Sequence, residues 1–63
     1  MEFLINLYFG KEEEVVSFIF FGNSIEEVTQ TFLEMKGKQP IDLENGYRII
    51  NFDRINYIDI LQK

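Results

Sequence analysis

The chain contains no cysteine, no histidine and no tryptophan, and a single proline, among its 63 residues. Without cysteine no disulfide can staple the fold, and without cysteine and histidine the favoured ligands of zinc and copper are missing. The same absences remove the commonest general base and the most nucleophilic side chain from any catalytic scheme. Basic residues are scarce, six Lys and Arg against eleven Asp and Glu, for a net charge of −5. That balance opposes nucleic acid, whose binding draws most of its affinity from Lys and Arg that displace counterions. Long apolar runs are lacking too: the longest is Phe-Ile-Phe-Phe at residues 18–21, far short of the roughly 20 residues that cross a bilayer. The opening Met1-Glu2-Phe3 has no basic segment and Asn6 interrupts the first apolar stretch, so no signal peptide is expected. The expectation is a cytoplasmic protein with no cofactor, no metal, no nucleic acid and no membrane partner.

What the chain does have is rings, seven Phe and three Tyr, within a hydrophobic fraction of 46%. That fraction is ordinary for a folded domain and argues against disorder. A chain of this length makes one domain, residues 1–63, and buries only about 60% of the surface its unfolded form exposes. Chains so small recruit disulfides, a metal or another subunit. With the first excluded and the second poorly provided for, a homo-oligomer is expected. An acidic exterior suits a basic protein partner, although a solvated surface has the same composition.

Residues 2–9 alternate, with Phe3, Ile5, Leu7 and Phe9 on one face and Glu2, Leu4, Asn6 and Tyr8 on the other, the pattern of a half-buried strand. Residues 10–13 have turn character, and residues 15–21 form a second strand with Val16, Phe18 and Phe20 on one face and Val15, Ile19 and Phe21 on the other. A strand apolar on both faces needs cover on both sides. Ser24-Ile25-Glu26-Glu27 reads as a capping box. The helix it opens carries Ile25, Val28, Phe32 and Met35 on one stripe, widened by Leu33, with Glu26, Gln30 and Glu34 toward water. Gly37 supplies the stop, and Lys36 and Lys38 lie where the helix dipole favours cations.

Beyond Pro40, residues 41–44 and 47–52 flank Asn45-Gly46, a hairpin signal of the type I′ class. A two-residue loop there sets Leu43 opposite Arg48 and Ile41 opposite Ile50, on a face directed at the helix. Residues 53–61 fit either a helix, through Ile55, Ile58 and Leu61, or an alternating strand; three Ile and a Tyr favour the strand. The expected fold is therefore α+β, an antiparallel sheet with one helix packed on one face, in the order ββαβββ.

Few constellations carry chemistry. The acidic run at residues 12–14 suits a solvated hairpin tip, because Ca²⁺ needs oxygen ligands that converge, not a run of charge. The hydroxyls of Ser17, Ser24, Thr29 and Thr31 have no motif around them, and the pair Asp53 and Asp59 is a weak candidate for acid–base work. An enzyme is not expected. Glu26, Glu27, Glu34, Asp42, Glu44 and Asp59 would imitate a phosphate backbone only if they aligned on one surface. Tyr8, Tyr47 and Tyr57, with Leu4 and Phe21, are placed as an interface patch on the sheet face away from the helix, since such rings are enriched in interface cores. The competing reading is that these rings fold over one another or sit in the core.

The stretch at residues 45–60, Asn-Gly-Tyr-Arg-Ile-Ile-Asn-Phe-Asp-Arg-Ile-Asn-Tyr-Ile-Asp-Ile, resembles the ending of small accessory proteins of bacterial phages and mobile elements. Those close with a hairpin, a short Asn-Phe-x-x-Ile turn and an Ile-rich strand. The resemblance implies a small cytoplasmic protein that binds and modulates a host factor, such as a defence protein, and transfers no functional residue. The composition and the resemblance together point to a non-enzymatic interaction module that self-associates and binds a protein partner. The alternative is an oligomeric binder of a small, nucleotide-like ligand, for which Ser24, Arg48 and Arg54 are the available anion-binding groups.

Overall fold

The period-two alternation of the first strand sorts its side chains into a dry set and a wet set, and the rest of the chain is arranged around that division. The computed structural model describes residues 1–10 and 14–63. Strand β1 is Glu2–Phe9 and β2 Glu14–Phe21; helix α1 is Ile25–Leu33; β3 is Lys38–Leu43 and β4 Gly46–Asn51; a 3-10 turn, Phe52–Arg54, leads into β5, Ile55–Gln62. The fold is α+β in the order ββαβββ, with all strand pairs antiparallel. The expected turn at residues 10–13 is described only at Gly10, whose φ is 62°. Lys11, Glu12 and Glu13, and with them most of the acidic run, lie outside the described residues.

The strands divide between two sheets, a three-stranded one in the order β2-β1-β5 and a two-stranded one of β3 and β4. β1 is the central strand, and its Phe3, Ile5 and Leu7 are fully buried. Its neighbours match it across the sheet: Phe20, Phe18 and Val16 of β2 lie opposite Phe3, Ile5 and Leu7, and Ile60 and Ile58 of β5 lie opposite Ile5 and Leu7. At Tyr8–Phe9 the β5 register slips, Asn56 being the extra residue, and its Nδ2 donates to the Gly10 carbonyl at 2.7 Å, as expected of a bulge that closes a sheet edge.

Helix α1 covers this apolar face. The Ser24 hydroxyl accepts the Glu27 amide at 3.1 Å, the expected first half of a capping box, while the Glu27 carboxylate accepts from Asn23 Nδ2 at 3.3 Å. Val28 and Phe32 are buried. The Phe32 ring lies 5.2 Å from Phe20 edge-on, and 6.2 Å from both Phe18 and Phe52, so one side chain ties helix, sheet and 3-10 turn together. Ile41 and Ile50 of the second sheet join the same core, as their shared face required.

Several expectations are corrected. Leu33 is 73% exposed, because it lies about 100° round the helix from Phe32, away from the buried side. The helix ends at Leu33 with Glu34 as its cap and no basic residue in its last turn, so Lys36 and Lys38 lie beyond the reach of its dipole and Met35 packs from the connecting segment. Gly37 does adopt a positive φ, 63°, but as a junction: its N–H donates to Asp53 Oδ1 at 3.0 Å and its carbonyl accepts from Phe52 N at 2.8 Å. The β3–β4 hairpin turns at Glu44-Asn45, pairing Leu43 with Gly46 and Ile41 with Arg48, two positions from the expected register, and Gly46 has no positive φ. Pro40 explains the slip. Hydrogen-bonded and non-bonded pairs alternate from the pair that closes the turn, and the observed register sets Pro40, opposite Ile49, in a non-bonded pair where its missing N–H costs nothing. The register built on Asn45-Gly46 would have lost a bond there while burying the same face.

Gly22, between β2 and α1, exchanges backbone hydrogen bonds of 3.1 Å with Met1, and a Cβ placed on it would collide with Val28 Cγ2 in the core. Gly22→Ala is therefore expected to lower unfolding free energy by about 2 kcal/mol, a typical overpacking cost. Gly46→Ala, which meets nothing within 4 Å, should change it by less than about 0.5 kcal/mol. Urea titrations of the two variants check this contrast, and equal effects would contradict it.

Candidate functional site

The side chains of β1 that point away from the helix lie on the outer face of the three-stranded sheet, and the registers resolve that face into rows. Ile19, Leu4 and Leu61 form an apolar row; Ser17, Asn6 and Asp59 a polar one; Val15, Tyr8 and Tyr57 an aromatic one. At one end Phe21 lies opposite Glu2, whose carbonyl accepts the Lys63 N–H at 3.0 Å. Phe21 is 70% exposed, Tyr57 50% and Leu61 49%, while Leu4 and Tyr8 on the central strand are half-buried.

Three interactions tie side chains of this face to one another. The Tyr8 and Tyr57 rings stack with centroids 4.5 Å apart and planes 24° from parallel. The Tyr8 hydroxyl donates to Asp59 Oδ2 at 2.7 Å, and Ser17 Oγ donates to Asn6 Oδ1 at 2.7 Å. Rings whose rotamers are already fixed lose little entropy when a partner covers them, which is what a docking surface needs.

Of the five residues expected to form one patch, the structure brings Leu4, Tyr8, Phe21 and Tyr57 to this face and places Tyr47 elsewhere. Tyr47 belongs to β4, opposite Asp42, and shares the outer face of the second sheet with Pro40 and Ile49. The expectation of one patch assumes a single sheet, and the division into two sheets separates Tyr47 from the rest. Leu61, Asn6 and Asp59 were not anticipated as members. Alternation had placed Val15 and Ile19 beside Phe21, but the rows need the β1–β5 register, which no local pattern supplies.

The ligand-binding trio is not assembled around a cavity. A cavity of about 320 Å³ between α1 and β5 is lined by residues such as Phe32, Leu33, Met35, Ile58 and Ile60, with no charged side chain. A second, of about 460 Å³ between β2 and β3, is lined by residues 18–21 and 40–43 with Met35, and its one charged group is Asp42. Neither includes Ser24, Arg48 or Arg54.

Four of the other polar candidates have structural duties. Ser24 caps the helix, Thr31 Oγ1 donates to the Glu27 carbonyl at 3.0 Å, Asp53 accepts from Gly37, and Asp59 accepts from Tyr8. The six acids considered as a phosphate mimic do not align: Glu26, Glu27 and Glu34 lie along α1 on the inner side of the sheet, Asp42 and Glu44 on the second hairpin, and Asp59 on the outer face. Among the described residues no three acids converge as a metal site, and no helix is long and apolar enough to cross a membrane. No family model matches the chain, and no curated protein or solved structure is significantly similar to it.

The stacked tyrosines should be energetically coupled. A double-mutant cycle of Tyr8→Ala and Tyr57→Ala, read by urea unfolding, is expected to give a coupling energy of about 1 kcal/mol. Additive effects would show that the stack does not stiffen the face.

Proposed function

We propose that the chain is a non-enzymatic interaction module that self-associates and binds a protein partner, and that the outer face of the β2-β1-β5 sheet is the surface through which it docks. The observation that carries this reading is an apolar and aromatic sheet face, centred on Leu4 and Tyr8, that none of the described helices and strands covers. Antiparallel sheets that face water usually alternate to a polar outer side; here the polar side chains that the registers place on this face are the Ser17-Asn6-Asp59 row and Glu2 at the rim. Isolated exposed apolar residues need no explanation, but a contiguous patch marks an interaction site. The acidic residues on α1 and the second hairpin frame the molecule with negative charge, which steers a basic partner and discourages nucleic acid. The resemblance of residues 45–60 to phage and mobile-element accessory proteins suggests a cytoplasmic host factor, such as a defence protein, as the partner it modulates.

Affinity capture from the native host's lysate tests the reading by comparing the wild-type chain with Tyr8→Ala/Tyr57→Ala. A near-stoichiometric partner of the wild type should be depleted about tenfold or more in the variant, since interface tyrosines rank among the residues that dominate binding energy. Undiminished recovery by a folded variant would remove this face from the docking account.

A further inference from the structure

We propose that a second copy of the chain covers the outer face of the three-stranded sheet, packed face to face about a two-fold axis parallel to β1. The inference rests on the reading of that face as a docking surface and names its occupant in the protein by itself, a second copy that a partner docking on Tyr8 and Tyr57 displaces.

Area is the first argument. The chain exposes 4739 Å², roughly 500 Å² more than the scaling for folded monomers gives at its mass of 7.5 kDa. The excess is the size of one uncovered sheet face. Strands β1, β2 and β5 are 8 residues each. At about 3.4 Å per residue and 4.8 Å per strand they make a face of roughly 27 by 14 Å. With side-chain relief two such faces bury on the order of 1,200 Å² in total, the lower end of stable specific interfaces.

Charge is the second. Of the acids among the described residues, only Glu2 and Asp59 fall on this face by register. Glu2 lies at its rim, where its backbone carbonyl accepts the Lys63 backbone N–H, and the Asp59 carboxylate accepts the Tyr8 hydroxyl. The other acids among the described residues thus lie on other surfaces.

The rows then choose the symmetry. Two sheets packed face to face have their two-fold axis in the plane between them, either across the strands or along them. An axis across the strands through the polar row sets every side chain of that row on its own counterpart, so two Asp59 carboxylates meet in a dry interface, a like-charge juxtaposition that opposes pairing. An axis along β1 sets β2 over the second copy's β5. Ser17 then faces Asp59 twice, Asn6 meets Asn6 through amides that both donate and accept, Ile19 faces Leu61, and Val15 faces Tyr57. Each of these rows packs on a row of its own kind, Glu2 meets its counterpart only at the rim, where solvent and salt screen the pair, and the polar row fixes the register between copies, as single buried polar positions do in coiled coils.

Position 17 is exposed and outside the core, so it reports the symmetry without disturbing the fold. Sedimentation velocity across a concentration series, with circular dichroism confirming folding, compares the wild type, Ser17→Lys and Ser17→Glu. The wild type is expected as a dimer. Ser17→Lys, facing Asp59, should retain or tighten it, and Ser17→Glu should weaken it about tenfold or more. Equal weakening by both substitutions would overturn the axis along β1, and no effect of either would overturn this face as the dimer contact. A wild-type chain that stays monomeric at millimolar concentration, yet captures its partner through Tyr8 and Tyr57, would overturn the second copy while leaving the docking surface standing.

Discussion

Everything in this fold depends on one strand being bonded along both of its edges while burying one of its two faces. β1 pairs with β2 on one side and β5 on the other, so the first and last strands of the chain are adjacent and both ends are tied into one sheet. Its Phe3, Ile5 and Leu7 form the floor on which Val28, Phe32, Ile41, Ile50 and Phe52 converge. Because side chains alternate strictly along a strand, the same backbone that supplies the floor must present Leu4, Asn6 and Tyr8 on the opposite side.

A chain of this length has only enough material to cover one side. The helix is 9 residues long, about 14 Å at 1.5 Å per residue, and its buried contacts are concentrated on Val28 and Phe32. The β3–β4 hairpin does not extend the three-stranded sheet; it folds over to complete the core with Ile41 and Ile50. Gly37 and Asp53 hold that arrangement, joining the end of the helix connection to the 3-10 turn before β5. Both covering elements serve the inner face. The outer face is left with ordered side chains, an apolar row, an aromatic row and a polar row between them.

Local patterns made much of the fold legible. The alternation of residues 2–9, the Ser24 cap and the β-branched composition of residues 55–61 identified their elements, because each depends on neighbours in sequence. The hairpin register was misplaced because Asn45-Gly46 is a strong local signal, whereas Pro40, six residues from that glycine, decides which pairs can bond. Leu33 was placed on the buried stripe because helical spacing alone does not say how far round the helix a sheet reaches. The candidate site was legible in four of its residues, Leu4, Tyr8, Phe21 and Tyr57. Tyr47 was grouped with them because nothing local reveals that the strands part into two sheets. The polar row has no local signature for a related reason: Ser17, Asn6 and Asp59 meet only through cross-strand register, with Asn6 and Asp59 standing 53 positions apart in sequence.

The most direct test of the central claim, that the outer face of the three-stranded sheet is the surface the protein uses for association, is an NMR dilution series on the full chain with methyl and aromatic labelling. The account predicts concentration-dependent shifts in Leu4, Ile19, Leu61, Tyr8 and Tyr57, with Ile5, Leu7 and Val28 in the core unmoved. Shifts confined to Tyr47 and Ile49 on the second sheet, with the outer-face resonances constant, would contradict it.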